Sequence, residues 1–292
     1  MAVDLVVRGP FSLDESVAFA ERFEPAAIGG GEGVFRAALV DDDGTPVGLA
    51  VRQAGSRLTV VHESALPDKR VADHAARILS VDVDGAGLAE VGSRDPVVAA
   101  LVERFPGRRP VCFGSPYEAA AWAVLSQRTS MRQAAAVKRQ LSDDLGEAVA
   151  ADGRHLTAFP APAVLAEAAD LPGVSGRRAE RLRAVAQATL QGLLDPGSLR
   201  ALEADEALQQ LQEVPGIGPF SAALVLGRGA GHPDLAPPSI APARRAIAEA
   251  YGLESVDDAG AAEIAEGWRP FRTWVLFLLR NAASAAPAGP AR

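Results

Sequence analysis

Residues 205–229 read D-E-A-L-Q-Q-L-Q-E-V-P-G-I-G-P-F-S-A-A-L-V-L-G-R-G. Asp205 predicts a helix cap, and Leu208 and Leu211 follow at helical spacing. The helix cannot pass Pro215. Gly216 and Gly218 allow a tight reversal, with positive φ available at both. Pro219 suits the first turn of a second helix, which runs through apolar residues to about Gly227. The stretch therefore predicts helix, hairpin, helix, with Ile217 at the tip tucked between the two. The amides of Gly216, Gly218 and the next turn have no partner inside either helix. They form a place where an anion is favoured. A plain helical corner without a ligand gives the same local pattern.

A chain of 292 residues, 48% apolar, has enough material for a sizeable core and a count of two domains. Aromatics are 5% of the residues while alanine is abundant, which favours closely packed helices. A net charge of −8 argues against indiscriminate coating of nucleic acid. It leaves room for a local basic face. Arg177, Arg178, Arg181 and Arg183 cluster, as do Arg244 and Arg245; each cluster also reads as an ordinary solvated helix face. The single cysteine, Cys112, excludes a disulfide framework and a four-cysteine iron–sulfur cluster. His62, His74, His155 and His232 show no metal spacing. The N-terminus lacks a secretory pattern and no stretch is clean enough to cross a membrane. The expectation is a soluble cytoplasmic protein.

From the N-terminus, Val3, Leu5 and Val7 alternate as a half-buried strand. Ser12-x-x-Glu15 predicts a capping box, opening a helix through Val17, Ala20 and Phe23. A glycine-rich turn is expected at Gly29–Gly31. Strands are expected near 33–40, 46–53 and 57–62, with hairpin turns at Asp43-Gly44 and Ala54-Gly55. This small antiparallel sheet with helices reads as scaffold. After Asp95-Pro96 almost everything to about 282 predicts helices joined by Gly/Pro turns. Tyr117 to Leu125 is one helix, carrying Trp122; Ser130-x-x-Gln133 caps the next. The polar loop between them, Gln127–Thr129, sits on a rigid mount, or is an ordinary interhelical loop. Leu171-Pro172-Gly173-Val174 leads into a basic helix over 176–190. A proline-rich loop, 231–242, precedes a helix over 242–251, and Trp268-Arg269-Pro270-Phe271 precedes a last apolar helix ending near Arg280. The fold class is therefore α+β. Residues 1–100 are expected to form an antiparallel α/β domain, 101–282 a helical domain, and 283–292 a disordered tail.

Three segments occur in order: Phe113-x3-Tyr117-Glu118-x5-Val124-Leu125-Ser126-Gln127-Arg128-Thr129-Ser130, then Leu211-x2-Val214-Pro215-Gly216-Ile217-Gly218, then Trp268-Arg269-Pro270-Phe271-Arg272. Over nearly the whole chain this pattern resembles the helix-hairpin-helix DNA glycosylases, most of all the bacterial 3-methyladenine DNA glycosylase II branch. The resemblance implies a monofunctional enzyme of base-excision repair that hydrolyses the N-glycosidic bond of alkylated purines after base flipping. It implies double-stranded, damaged DNA as partner, a monomer near the bacterial nucleoid, and no cofactor beyond a monovalent cation on hairpin carbonyls. By the same resemblance Gln127, Arg128, Thr129, Pro215, Gly216, Ile217, Gly218 and Ser221 contact DNA. Gln127 and Arg128 lie on the loop that fills the gap left by the flipped nucleotide. Trp122, Phe220, Trp268 and Trp274 are candidates for the base pocket, the tryptophans equally for the core. Phe220 stands where lyase members carry a lysine.

One departure matters. The family has an aspartate four or five residues before a basic pair. Counting back from Arg244-Arg245 gives Ile240 or Ser239, neither acidic. Asp234 is the nearest carboxylate in the same loop and the candidate substitute. Two other readings follow from the same residues: a catalytically silent binder of damaged or distorted DNA, and a helical scaffold that recruits partners through helix 176–190.

Overall fold

The computed structural model describes residues 1–23, 28–29 and 33–285. The N-terminal part is a five-stranded antiparallel sheet of order β1-β5-β4-β3-β2. Its strands are β1 (Ala2–Val6), β2 (Ile28–Gly29), β3 (Phe35–Val40), β4 (Pro46–Ala54) and β5 (Arg57–His62). Gly44 and Gly55 turn the two hairpins at φ +85° and +62°, as the Asp-Gly and Ala-Gly pairs predict. Helix α1 (Leu13–Ala20) and α2 (Asp68–Ile78) cover one face, and Leu39, Leu49, Val51 and Leu58 are fully buried between the layers. Ser12 caps α1 as expected, accepting from Glu15 N at 3.2 Å. The reciprocal half of the box does not form. Ser12 N donates to Gly107 O instead, and the Glu15 carboxylate takes Arg108 Nε at 2.6 Å. Of the expected Gly29–Gly31 turn, Gly29 lies in β2; residues 30–31 lie outside the described residues.

The helical part is α3 (Gly87–Arg94), α4 (Pro96–Arg104), α5 (Pro116–Leu125), α6 (Met131–Leu145), α7 (Pro162–Glu167), α8 (Gly176–Leu190), α9 (Pro196–Ala201), α10 (Ala204–Gln212), α11 (Pro219–Leu224), α12 (Ala241–Tyr251), α13 (Asp258–Glu266) and α14 (Arg272–Ala285). A single π-helical turn, Val225–Gly229, continues α11. All ten residues of α5 are buried, and its alanines let α8 and α11 approach on separate sides. Gly229 crosses Pro116 so closely that a Cβ there would lie 2.8 Å from Pro116 Cα. A second core joins α3 and α4 to the C-terminal helices through Val91, Val98, Ile247 and Trp268. The boundary expected at residue 100 falls inside α4.

Three sequence expectations need correction. Residues 148–157 are not helical: β6 (Ala148–Ala151) and β7 (Arg154–Thr157) form a hairpin lying on the outer face of the sheet. It reaches there because Gly48 has no side chain; a Cβ would stand 2.1 Å from Ala150 O. Asp152 at its tip holds Arg36 at 3.0 Å and Arg52 at 2.6 Å. Asp205 does not cap α10; Glu203 occupies that position and Asp205 lies in the first turn. The tail expected from Ala283 begins as helix, since α14 runs to Ala285, and 286–292 lie outside the described residues. No helix among the described residues is long and apolar enough to cross a membrane.

Helices α5 and α6 are tied by a buried ion pair. Lys138 Nζ lies 2.7 Å from Glu118 Oε1, and Glu118 Oε2 accepts from Gly114 N at 3.0 Å. Removing one partner of a buried pair leaves the other charge uncompensated, at a cost of about 3–5 kcal/mol. Glu118→Ala is therefore expected to lower the urea midpoint by that equivalent at unchanged m-value. A midpoint equal to wild type would show that the pair contributes nothing.

Candidate nucleic-acid interface

The reversal between α10 and α11 is built as the sequence implies, with one change. Gly216 adopts φ +98°, whereas Gly218 sits at φ −94° in extended backbone as the cap of α11. Left-handed freedom is needed at one glycine, not two. Ile217 N donates to Val214 O at 3.0 Å, closing the turn, and its side chain is 4% exposed between the helices. Gly216 is also packed: a Cβ there would lie 2.7 Å from Arg181 Cδ. At Gly218 a Cβ would meet nothing within 4 Å. Pro215 and Gly218 are exposed and Ser221 is buried.

The loop 126–130 faces this turn and is fastened to it. Gln127 Nε2 donates to Gly216 O at 2.8 Å. Arg181 Nη1 donates to Gln127 Oε1 at 2.6 Å, and Arg178 Nη2 donates to Gln127 O at 2.9 Å. Gln127 thus bridges loop, hairpin and α8 and does not project into a gap, because both ends of its amide are taken. Thr129 Oγ1 donates to Gln133 Oε1 at 2.9 Å, inside the cap of α6. Arg128 stands at the crest with φ +54°, a left-handed conformation costly for a residue with a Cβ.

Between loop, hairpin and α8 lies a groove lined by Gln127, Arg128, Arg177, Arg178, Arg181 and the turn 216–218. It holds four arginines and no carboxylate, in a chain of net charge −8. Arg178 and Arg181 are committed to Gln127. The side chains of Arg128 and Arg177 make no hydrogen bond or ion pair among the described residues. Arg183, read with them from the sequence, turns away and donates to Ala168 O and Ala169 O. Arg244 is paired with Asp258 at 2.5 Å.

A cavity of about 290 Å³ opens on the other flank of α11. Its walls include Phe19 and Phe23 from the N-terminal part, Phe220, Phe277, Leu235 and Arg228. The Arg228 guanidinium lies 5.1–5.2 Å from the centroids of Phe19, Phe23 and Phe277 and donates through Nε to Val111 O at 3.1 Å. Burial pushes its pKa down to about 10, so it remains a cation at neutral pH. No carboxylate lines this cavity among the described residues.

The structure separates the aromatic candidates. Phe220, 46% exposed, lines the cavity mouth. Trp122, Trp268 and Trp274 do not line it; all three are buried in the two helical cores. Trp268 Nε1 donates to Tyr251 Oη at 2.8 Å, and Trp274 packs against Phe271 and beneath Arg109. Phe19 and Phe23 gave no signal in the sequence beyond the apolar side of a scaffold helix.

Asp234 is not available as a reacting carboxylate. Its Oδ1 accepts from Arg272 N at 3.1 Å and Arg272 Nε at 2.9 Å, and its Oδ2 from Arg269 Nη1 at 2.9 Å and Arg272 Nη2 at 3.1 Å. It straps the proline-rich loop to the start of α14, with Leu235 N donating to Thr273 Oγ1 at 2.9 Å beside it. Ser239 is exposed, and half-buried Ile240 is the cap residue of α12.

With this geometry in hand, known proteins supply the comparison. No family model matches the chain. A Mycobacterium tuberculosis protein named probable bifunctional transcriptional activator/DNA repair enzyme AlkA is 32% identical over 208 residues, covering 68% of this chain and 40% of that protein. The DNA-3-methyladenine glycosylase of Bacillus subtilis is 26% identical over 153 residues, 51% of this chain and 50% of that one. Among solved structures, the 3-methyladenine DNA-glycosylase of Archaeoglobus fulgidus superposes with a TM-score of 0.81 over 97% of this chain and 99% of that chain, at 23% identity. Its fold is that of the helix-hairpin-helix DNA glycosylases. It spans about half, or less, of the length of the curated relatives it matches.

Within the superfamily fold, the two glycines of the hairpin separate in a measurable way. Gly216→Ala forces a Cβ into φ +98° and against Arg181, and is expected to cost about 1–3 kcal/mol and lower the melting temperature. Gly218→Ala meets no such obstacle. Differential scanning calorimetry of the two variants checks the contrast; equal losses would refute it.

Proposed function

We propose that this chain is a monofunctional DNA N-glycosylase. It would flip an alkylated purine of the 3-methyladenine or 7-methylguanine type out of double-stranded DNA into the cavity beside α11 and hydrolyse its glycosidic bond. The observation that carries the reading is the four-arginine groove fused to the hairpin, at the start of the helix whose Phe220 lines the cavity. The groove attracts the phosphate backbone. Arg128 is placed to enter the space that a flipped nucleotide leaves, and Phe220 offers a face on which the extruded base stacks. Relatives named for DNA repair and 3-methyladenine excision support the substrate class. The protein would act as a monomer on chromosomal DNA. A monovalent cation would sit on the carbonyls of residues 214–217. There Gly216 O already accepts from Gln127 and Val214 O from Ile217, and no step of the proposed reaction passes through the ion.

A second reading rests on the carboxylates. Neither Ser239 nor Ile240 is acidic, both oxygens of Asp234 are held by arginines, and no described cavity residue is acidic. Losing a preorganised charge that stabilises the cationic sugar as the base departs costs about 3–4 kcal/mol, on the order of a hundred- to thousand-fold in rate. A chain without that charge would bind the lesion and leave the bond intact. Duplexes carrying 7-methylguanine or 3-methyladenine, treated with alkali after incubation, decide between the two. Abasic sites above a Gly216→Ala control are expected for the glycosylase. Binding without excision, with excision appearing only in Ser239→Asp, means a silent reader.

Groove binding makes its own prediction. The Arg177 side chain makes no hydrogen bond or ion pair among the described residues, so Arg177→Ala should weaken binding evenly across sequences and reduce the salt slope of log K by about 1. Fluorescence anisotropy at several salt concentrations measures both; an unchanged slope excludes a phosphate contact.

A further inference from the structure

The residue at the crest of the loop 126–130 can do more than fill space. Its backbone is in the left-handed region at φ +54°, and the residue before it is held by three hydrogen bonds to Gly216, Arg178 and Arg181. Arg128 is therefore presented from a fixed platform. Its side chain is exposed and makes no hydrogen bond or ion pair among the described residues, while Arg178 and Arg181 beside it are occupied. A guanidinium is a planar fork of donors with no acceptor. When a nucleotide leaves the stack, the base it was paired with is left with its pairing edge unsatisfied. Among the four bases, only cytosine presents two adjacent acceptors, N3 and O2, on that edge. Thymine has a donor between two acceptors, guanine has two adjacent donors, and adenine has a single acceptor beside a donor. Two parallel N–H donors of one arginine fit cytosine and meet at least one opposing donor or an unmatched position on the others. Selectivity of this kind arises because a mismatched polar edge is left unpaired.

We propose that Arg128 reads the base opposite the lesion and selects cytosine, so that the lesions this chain favours derive from guanine. The proposal rests on the nucleic-acid reading of the groove and deepens it by naming which strand partner is recognised. Arg128 acts here as a specificity-determining residue, and excision is not needed to detect it.

The test is equilibrium binding of the full chain to four duplexes. Each carries one tetrahydrofuran abasic analogue, placed opposite C, T, A or G; a fifth duplex is intact. Wild type is expected to bind the C duplex about tenfold more tightly than the T duplex, within the range for one bidentate contact. Arg128→Lys keeps the charge but loses the planar fork, and is expected to bring the four abasic duplexes within twofold of one another. Arg128→Leu should do the same while still preferring abasic over intact DNA, which also shows that the variant is folded. Equal binding of all four duplexes by wild type, or an unchanged C preference in either variant, overturns the proposal and leaves the groove reading standing. Failure of wild type to bind any duplex overturns the groove reading and the proposal together.

Discussion

One side-chain amide holds the interface together. Gln127 donates to the hairpin carbonyl of Gly216, accepts from Arg181, and its own carbonyl accepts from Arg178. Loop, hairpin and α8 come from positions about 50 and 90 residues apart in the sequence and would otherwise move independently. Fixing them in the free protein means that little ordering remains when a ligand arrives. Two arginines beside the amide are drawn inward by it, which aligns the positive groove and leaves Arg128 and Arg177 as its outward-facing charges.

The charge is unevenly distributed. The chain carries a net charge of −8, while the groove concentrates four cations with no acid among its lining residues. The cavity beside it carries a different balance. Its buried cation, Arg228, is enclosed by three phenylalanine rings and a backbone carbonyl, and no described wall residue offers a negative charge. Groove and cavity therefore differ in kind: one is an open row of cations, the other an aromatic chamber around a single enclosed guanidinium.

Much of the fold was legible because its signals are local. Ser12 and Ser130 cap helices through hydrogen bonds to residues three positions on, and Gly44 and Gly55 mark turns that a left-handed residue completes. The hairpin at 214–218 was legible for the same reason. What the sequence hid depends on distant partners. The β6–β7 hairpin exists because Gly48, a hundred residues earlier, leaves room for it. Asp234 reads as a free carboxylate until Arg269 and Arg272 fold back onto it. The tryptophans read equally as pocket wall and as core until packing places Trp122 in one helical core and Trp268 and Trp274 in the other, while Phe19 and Phe23 supply the wall from a helix that looked like scaffold.

The ring of phenylalanines around Arg228 has a consequence for how the protein comes into being. Phe19 and Phe23 belong to the first helix and the residues just after it, Phe277 to α14. A ribosome delivers Phe277 long after Phe19 and Phe23. The cavity has no complete wall until α14 emerges. A chain interrupted before α14 would carry the residues of the basic groove and lack the Phe277 wall of the cavity.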